Sequence, residues 1–364
     1  MRRSTALVLL ATLIVAVSNT AAAQPAATAT AHYRQAADVF ELLDNVSNWW
    51  PGYTDVRYRE YWTRHFGLSA EDDTLLVRYA RLRARHFDKT GQSNEDPATS
   101  EGGLFTARST LRADPVGDVF LRAETVREAL EQLGGVVDAE ERAFLRRFYA
   151  HFASRYLPLV TRHQQAVQAS LEATNRTLTS PAFGEWIAGI ERFFDASDRG
   201  TPYEALYVWW PDTLNVVANP RGRFLVLRAM VKPGEALNVG DVVAHEAVHV
   251  IAARQPSEQK RAISDAFLRG CPANASVGRL NTFEEPIAVV FGNMAFTRTF
   301  RPERYRFARR WYGDAWVDLY AKLLFSPIVD RFERGGRLAD GVADQAVQLC
   351  AALLAQRGSQ SSRK

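Results

Sequence analysis

Apolar residues recur every three or four positions along most of the first half of the chain, a spacing that predicts amphipathic helices. The periodic stretches are residues 36–47, 70–87, 118–133, 138–172 and 181–196, followed after residue 300 by 301–311, 313–332 and 340–356. The pattern breaks down between residues 88 and 111, where Gly, Ser, Asn and Pro accumulate, and this composition predicts a long loop.

Residues 206–210, 214–218 and 224–231 follow a different pattern, rich in β-branched and aromatic side chains, which predicts strands. The tetrapeptide Asn219-Pro-Arg-Gly222 separates the last two and is typical of a hairpin turn. Such a strand could bind an extended peptide along its edge, and ordinary core sheet is the alternative. The expected fold class is therefore α+β and predominantly helical, with a small β-sheet.

The helical stretch at residues 241–253 is uninterrupted by Pro or Gly and contains His245-Glu-Ala-Val-His249. Residues four apart lie on one face of a helix, so both imidazoles are expected to bind one divalent metal ion, usually zinc. Glu246 lies one step round the helix, where it can reach a metal-bound water, and is the candidate general base. Asp241 is the expected N-cap. The alternative is a core helix whose histidines bond to backbone carbonyls.

A catalytic zinc site usually needs a third protein ligand, and none of the seven histidines follows His249. A downstream carboxylate is therefore expected, and residues 281–296 hold the best candidates. Glu285 completes a capping box with Thr282 and shares a helix face with small residues, whereas Glu284 shares a bulkier face. Asp265, Cys271 or the other glutamate are alternatives, and both glutamates could instead simply favour the helix N-terminus through its dipole.

The sequence His245-Glu-x-x-His249, followed about 35 residues later by Glu285-Pro-Ile-Ala288, resembles the gluzincin group of metallopeptidases. The resemblance covers about residues 205–300. It implies His245, His249 and Glu285 as zinc ligands, Glu246 as base and a zincin-like core with a mixed β-sheet before the active-site helix. The fourth position after Glu285 is Val289, where part of the family has an acidic residue, so the resemblance implies no substrate class.

The chain opens with two arginines, an apolar run from Ala6 to Val17 and three alanines at 21–23. The run is too short to span a bilayer, and the pattern predicts a signal peptide cleaved after Ala23, hence a periplasmic or secreted protein without a membrane span. In an exported chain the two cysteines, Cys271 and Cys350, favour a disulfide, with buried free thiols as the alternative. The expected organisation is a signal peptide at 1–23, a helical N-terminal region at 24–200, a zincin-like catalytic region at 201–356 and a disordered tail at 357–364.

Charge adds little, because acidic and basic residues interleave around a formal net charge of +4 and give no nucleic-acid-binding stripe. The expected function is that of an exported zinc metallopeptidase acting on a peptide or protein substrate, with Tyr305, Tyr312 or Tyr320 stabilising the oxyanion. The alternative is a non-catalytic helical envelope or binding protein whose zinc is structural or absent.

Overall fold

The computed structural model describes residues 29–50, 54–87, 114–212, 216–221, 224–271 and 282–361. The protein is predominantly helical and contains one four-stranded sheet, so the predicted α+β class is confirmed at this level. The predicted signal peptide at residues 1–23 and the predicted loop at 88–111 lie outside the described residues.

The elements follow one another with short connections in most of the chain. The helices are α1 Gln35–Ser47, α2 Val56–Phe66, α3 Ala70–His86, α4 Pro115–Arg122, α5 Val126–Gln132, α6 Ala139–Ala166, α7 Gln168–Leu178, α8 Pro181–Phe193, α9 Gly240–Ala253, α10 Ser257–Gly270, α11 Glu284–Ala288, α12 Phe296–Phe300, α13 Ala315–Glu333 and α14 Val342–Ser361. A π-helical segment, Val289–Ala295, joins α11 to α12. The strands are β1 Ala29–His32, β2 Tyr203–Val208, β3 Val217–Arg221 and β4 Phe224–Arg228.

The sheet has the order β1-β2-β4-β3, with β1, β2 and β4 parallel and β3 antiparallel to β4. Its two faces pack against different layers of helices. Leu206, Val208 and Val226 face a cluster with α1 and α4, whereas Tyr207 and Leu227 face the core around α9. Burial on both faces explains why β2 and β4 are nearly continuous apolar runs in the sequence.

A network of six buried charged side chains ties the edge strand β3 to the N-terminal helices. Its members are three carboxylates and three guanidinium groups: Glu41, Asp44, Asp114, Arg83, Arg221 and Arg228. Arg221 at the end of β3 lies 2.5 Å from Glu41 and 3.6 Å from Asp114. Equal numbers of opposite charges at these distances compensate the cost of removing them from water. The network therefore holds β3 where it borders the candidate site.

Several sequence predictions change in detail. The predicted helix at 301–311 is wrong apart from a short 3₁₀ turn, Pro302–Arg304. Like charges four residues apart, such as Arg306 and Arg310, destabilise a helix, and their side chains donate to nearby backbone carbonyls instead. Neither α2 nor α10 was among the predicted helices, and α14 extends past residue 356, where the disordered tail was expected to begin.

The predicted turn at residues 219–222 is wrong over its first three residues, because β3 continues through Asn219 and Pro220 to Arg221, and Gly222 lies outside the described residues. Proline is tolerated there because β3 is an edge strand. Cys271 and Cys350 form a disulfide with their Cα atoms 5.8 Å apart, which joins the end of α10 to α14 and confirms that prediction. Among the described residues, none of the helices has the length and apolar character that crossing a membrane requires.

Candidate metal centre

Helix α9 places the two motif histidines side by side. It begins at Gly240, whose N–H donates to the Asn238 side chain at 3.0 Å, so the predicted cap by Asp241 is wrong. The N-cap position is Val239, two residues earlier than the sequence suggested, and its side chain makes no capping bond. One turn apart on a single face, His245 and His249 have their Nε2 atoms 3.2 Å apart.

Glu285 lies across from both histidines. One of its carboxylate oxygens is 3.1 Å from the His245 Nε2 atom, and the other is 3.3 Å from the His249 Nε2 atom. A donor atom from each of the three residues lies within 4.8 Å of the others. Two imidazole nitrogens and one carboxylate are the donor set of many catalytic zinc sites, which leave a fourth position open. These residues therefore fit a zinc ion chemically.

The second ring nitrogen of each histidine is also engaged. His245 Nδ1 lies 2.9 Å from the Asn293 side-chain oxygen, and His249 Nδ1 lies 2.5 Å from a Glu284 carboxylate oxygen. Acceptors at these positions require N–H groups on Nδ1, which leaves the Nε2 lone pairs free for a metal. The two adjacent glutamates thus occupy different places: Glu285 faces the Nε2 atoms, and Glu284 supports the His249 ring from behind.

Helix α11 starts at Glu284, so Pro286 lies in the first turn, where a missing N–H costs little. The predicted capping box does not form. The cap position is Phe283, which makes no side-chain capping bond, and the Glu285 carboxylate interacts with the histidines. Attraction to two imidazoles outweighs the capping interaction that local sequence favoured.

The π-helical segment brings Asn293 into line with Glu285. Eight residues of regular α-helix would turn Asn293 about 80° away from the face of Glu285. A π-helix has wider i→i+5 turns, so each residue rotates less and the two side chains point to the same side. Sequence reasoning missed Asn293, because local periodicity carries no sign of a π-helical insertion.

Gly292 allows this segment to lie directly against α9. A Cβ atom added at Gly292 would be 2.2 Å from the His245 Cα atom and 2.4 Å from its backbone nitrogen. Only a residue without a side chain permits that approach. The contact fixes the distance between the helix that carries Glu285 and the helix that carries the histidines.

Burial and charge set the protonation of the site. Burial raises the pKa of Glu246, which is 9% exposed, while the neighbouring imidazoles act in the opposite direction. Burial alone would lower the pKa of His249, but Glu285 and Glu284 outweigh it and raise that pKa well above its usual value. The Glu285 pKa is lowered in turn, since the attraction of His249 and His245 exceeds the effect of burial. A metal ion would replace the protons, because only neutral imidazoles are ligands.

An open cleft of about 460 Å³ lies between α9 and β3. Its walls combine the site side chains with residues of the edge strand: Val216, Val217, Ala218, Asn219, Pro220, Val242, His245, Glu246, His249, Glu285, Asn293 and Tyr312. The space beside the three donor atoms is thus accessible, and most of its remaining lining is apolar.

Of the three candidate tyrosines, the structure brings only Tyr312 to the cleft. Burial and then the charge of the nearby Glu285 carboxylate raise the pKa of Tyr312, so the hydroxyl keeps its proton. Tyr320 instead donates to the Ala346 carbonyl at 2.6 Å in the core, and Tyr305 packs on Trp311. The sequence offered no means of choosing among them.

The alternative ligands are not brought to the site. Asp265 is exposed on α10, and Cys271 is bound in the disulfide. Within the described ranges, His245, His249 and Glu285 form the one group of three such side chains close enough to share a metal ion. No family model, curated protein or solved structure matches this chain.

Proposed function

We propose that the protein is an exported zinc-dependent peptidase that hydrolyses peptide bonds in the cleft between α9 and β3. The observation that carries the proposal is the convergence of both His Nε2 atoms and the Glu285 carboxylate, with Glu246 beside them in an open cleft. Zinc at such a site supplies a Lewis acid that activates water and polarises a carbonyl group. The disulfide is consistent with an oxidising compartment and supports export.

Glu246 is placed to move the proton. It lines the cleft, and its raised pKa brings it closer to the range in which a carboxylate both accepts a proton from water and returns it to a leaving amine. Because Glu246 lies next to His245 on the helix without facing the same point, it serves as base and not as ligand. The roles of His245 as ligand and Glu246 as base follow from their spacing in the sequence and from the position of Glu246 on α9.

Tyr312 also lies beside the donor group. Its ring stacks parallel to that of His245, with centroids 6.1 Å apart, and its protonated hydroxyl lies next to Glu285. A hydroxyl held there can donate a hydrogen bond to the oxygen on which negative charge develops during attack on a carbonyl. We assign Tyr312 the role of oxyanion donor.

The edge of β3 offers a template for an extended peptide. Proline has no N–H to donate to β4 and is tolerated where that position faces away from the partner strand, so Pro220, and with it Ala218 two residues earlier, turns its backbone groups toward the free edge. Ala218 therefore offers its N–H to a bound strand, and Pro220 offers its C=O. A peptide paired here would pass the donor group on α9 in a fixed register.

The test is Glu246→Gln in the mature protein, with Glu140→Gln on exposed α6 as the matched control. Both variants should retain about one zinc per chain, as measured by elemental analysis. Hydrolysis of an unstructured protein should fall by about 10²–10⁴-fold only in Glu246→Gln, because a general base contributes on this scale. Full activity of Glu246→Gln would overturn the mechanism. Wild-type protein that takes up no zinc and cleaves nothing would favour the non-catalytic alternative.

A further inference from the structure

A strongly basic segment begins within α12 and leads through a loop to the wall of the cleft. Residues 298–310 contain six arginines and a single glutamate, a formal charge of +5, compared with +4 for the whole chain. Charges that look interleaved over the full sequence are therefore concentrated in one short segment. Its place beside the candidate active site makes it relevant to substrate selection.

Two of these arginines have structural partners. Arg298 pairs with Glu333, and Arg301 contacts Asp241 and Asn238 at the start of α9. The other four are exposed: Arg304, Arg306, Arg309 and Arg310. We call these four side chains the arginine patch.

The arginine patch has few carboxylate partners among the described residues. Within the described part of the chain, no carboxylate lies within ion-pair distance of Arg306, Arg309 or Arg310. Arg304 is 3.8 Å from Glu303, but these two side chains are 66% and 69% exposed, so water screens the pair. The guanidinium groups therefore keep their capacity to bind an anion.

The loop is held in place and is continuous with the cleft wall. Arg310 donates to the backbone carbonyls of Tyr312, at 3.0 Å, and of Gly313. The N–H groups of Trp311 and Tyr312 donate to Asp318 at 2.5 and 3.3 Å, and the Arg309 guanidinium lies 4.1 Å from the Trp311 ring centre. The arginine patch thus leads within two residues to Tyr312, which faces the donor group.

We propose that the arginine patch binds acidic side chains of the peptide substrate, so that the enzyme prefers bonds flanked by Asp or Glu. This inference rests on the proposed function and adds a substrate class to it. Guanidinium groups bind carboxylates through two parallel hydrogen bonds, and a rigid loop supplies the required orientation.

An acidic peptide fits the arginine patch better than an anionic membrane does. The chain continues from the arginine patch to Tyr312 in the cleft wall, and a peptide would already be bound along β3 in that cleft. Phe307 is the exposed large apolar side chain of this loop, at 48%, whereas stable membrane attachment usually needs a broader apolar face as well as basic charge.

The experiment compares three fluorogenic peptides with one cleavable core and flanks of three Glu, three Gln or three Lys residues. With zinc-loaded mature protein at low salt, we expect kcat/KM for the Glu peptide to exceed that for the Gln peptide by about tenfold, mainly through KM. The preference should shrink as salt is raised, because the charges are exposed. Equal kcat/KM values for the Glu and Gln peptides would overturn the proposal.

Charge reversal separates recognition from a damaged loop. Arg304→Glu combined with Arg309→Glu should invert the order, so that the Lys peptide is cleaved faster than the Glu peptide. The matched control, Arg146→Glu with Arg147→Glu, reverses the same charge on exposed α6 and should keep the original order. A reversed variant that still prefers the Glu peptide refutes the assignment.

A binding measurement makes this result independent of turnover. Fluorescence anisotropy with the Glu246→Gln protein should give tighter binding of the Glu peptide than of the Gln peptide, even if the proposed hydrolysis fails. Equal binding of the two peptides, together with sedimentation of the protein on phosphatidylglycerol vesicles, would overturn the proposal in favour of membrane binding.

Discussion

The replacement Gly292→Ala tests whether close helix packing sets the geometry of the candidate metal centre. The added methyl group would lie 2.2 Å from the His245 Cα atom. Carbon atoms pack at about 3.5–4.0 Å, so the π-helical segment and α9 must separate by more than about 1 Å. Metal–ligand distances tolerate changes of only about 0.2 Å, and Glu285 cannot then bind the same ion as both histidines.

Two contributions to the free energy of unfolding oppose each other in this variant. Alanine is more favourable than glycine inside a helix by about 0.5–1 kcal/mol. Overpacking a well-filled contact costs about 1–3 kcal/mol, so we expect the metal-free variant to lose up to about 2 kcal/mol. The effect on zinc affinity should be larger. Removing a residue that only hydrogen-bonds a metal ligand weakens zinc binding by up to about 100-fold, and displacing Glu285 itself should weaken it by more.

The assay is competition for zinc against a fluorescent chelator, combined with urea unfolding of the metal-free protein. Gly135→Ala is the control, because a Cβ atom there meets no atom within 4 Å, and its zinc affinity should equal that of the wild type. Wild-type zinc affinity in Gly292→Ala would refute the reasoning, because it would mean that the contact does not determine the ligand positions.

Three further outcomes are expected. Elemental analysis after mild chelation should find Glu285→Ala nearly zinc-free, whereas Glu284→Ala should retain zinc with about 10–100-fold weaker affinity. The reverse order would make Glu284 the metal ligand and Glu285 the supporting residue. Replacing both cysteines by serine should lower the free energy of unfolding by up to about 4 kcal/mol in urea titrations, and an unchanged value would contradict a stabilising disulfide across 79 residues. Burial alone would raise the pKa of Asp114, but Arg83 holds that pKa below its usual value. The ionised Asp114 side chain therefore stabilises the folded protein fully above the unfolded pKa of about 3.9. This stabilisation is lost as pH falls through the folded pKa. Urea unfolding from pH 7 down to about pH 2 should therefore show a steeper loss of unfolding free energy in the wild type than in Asp114→Asn.

Local sequence patterns were sufficient for the parts of the protein that depend on neighbouring residues. The spacing of His245 and His249 predicted a shared helix face, because helical geometry alone sets the positions of residues four apart. The apolar and β-branched runs predicted β2, β4 and most helices, because these patterns are also local, whereas β1 was not predicted and β3 begins three residues later than expected. The disulfide followed from the number of cysteines and the expected compartment, which is information about composition.

Tertiary packing decided what no short-range pattern contains. The position of Asn293 depends on a π-helical segment. Tyr312 reaches the cleft at the end of a loop that replaces the predicted helix, because the arginines of that loop donate to backbone carbonyls instead. The register of β3 is held by Arg221, whose partner Glu41 is far away in the sequence. The sequence determined which side chains were available for a metal centre, whereas contacts between distant segments determined which of them meet, because those contacts depend on the packing of whole helices and sheets.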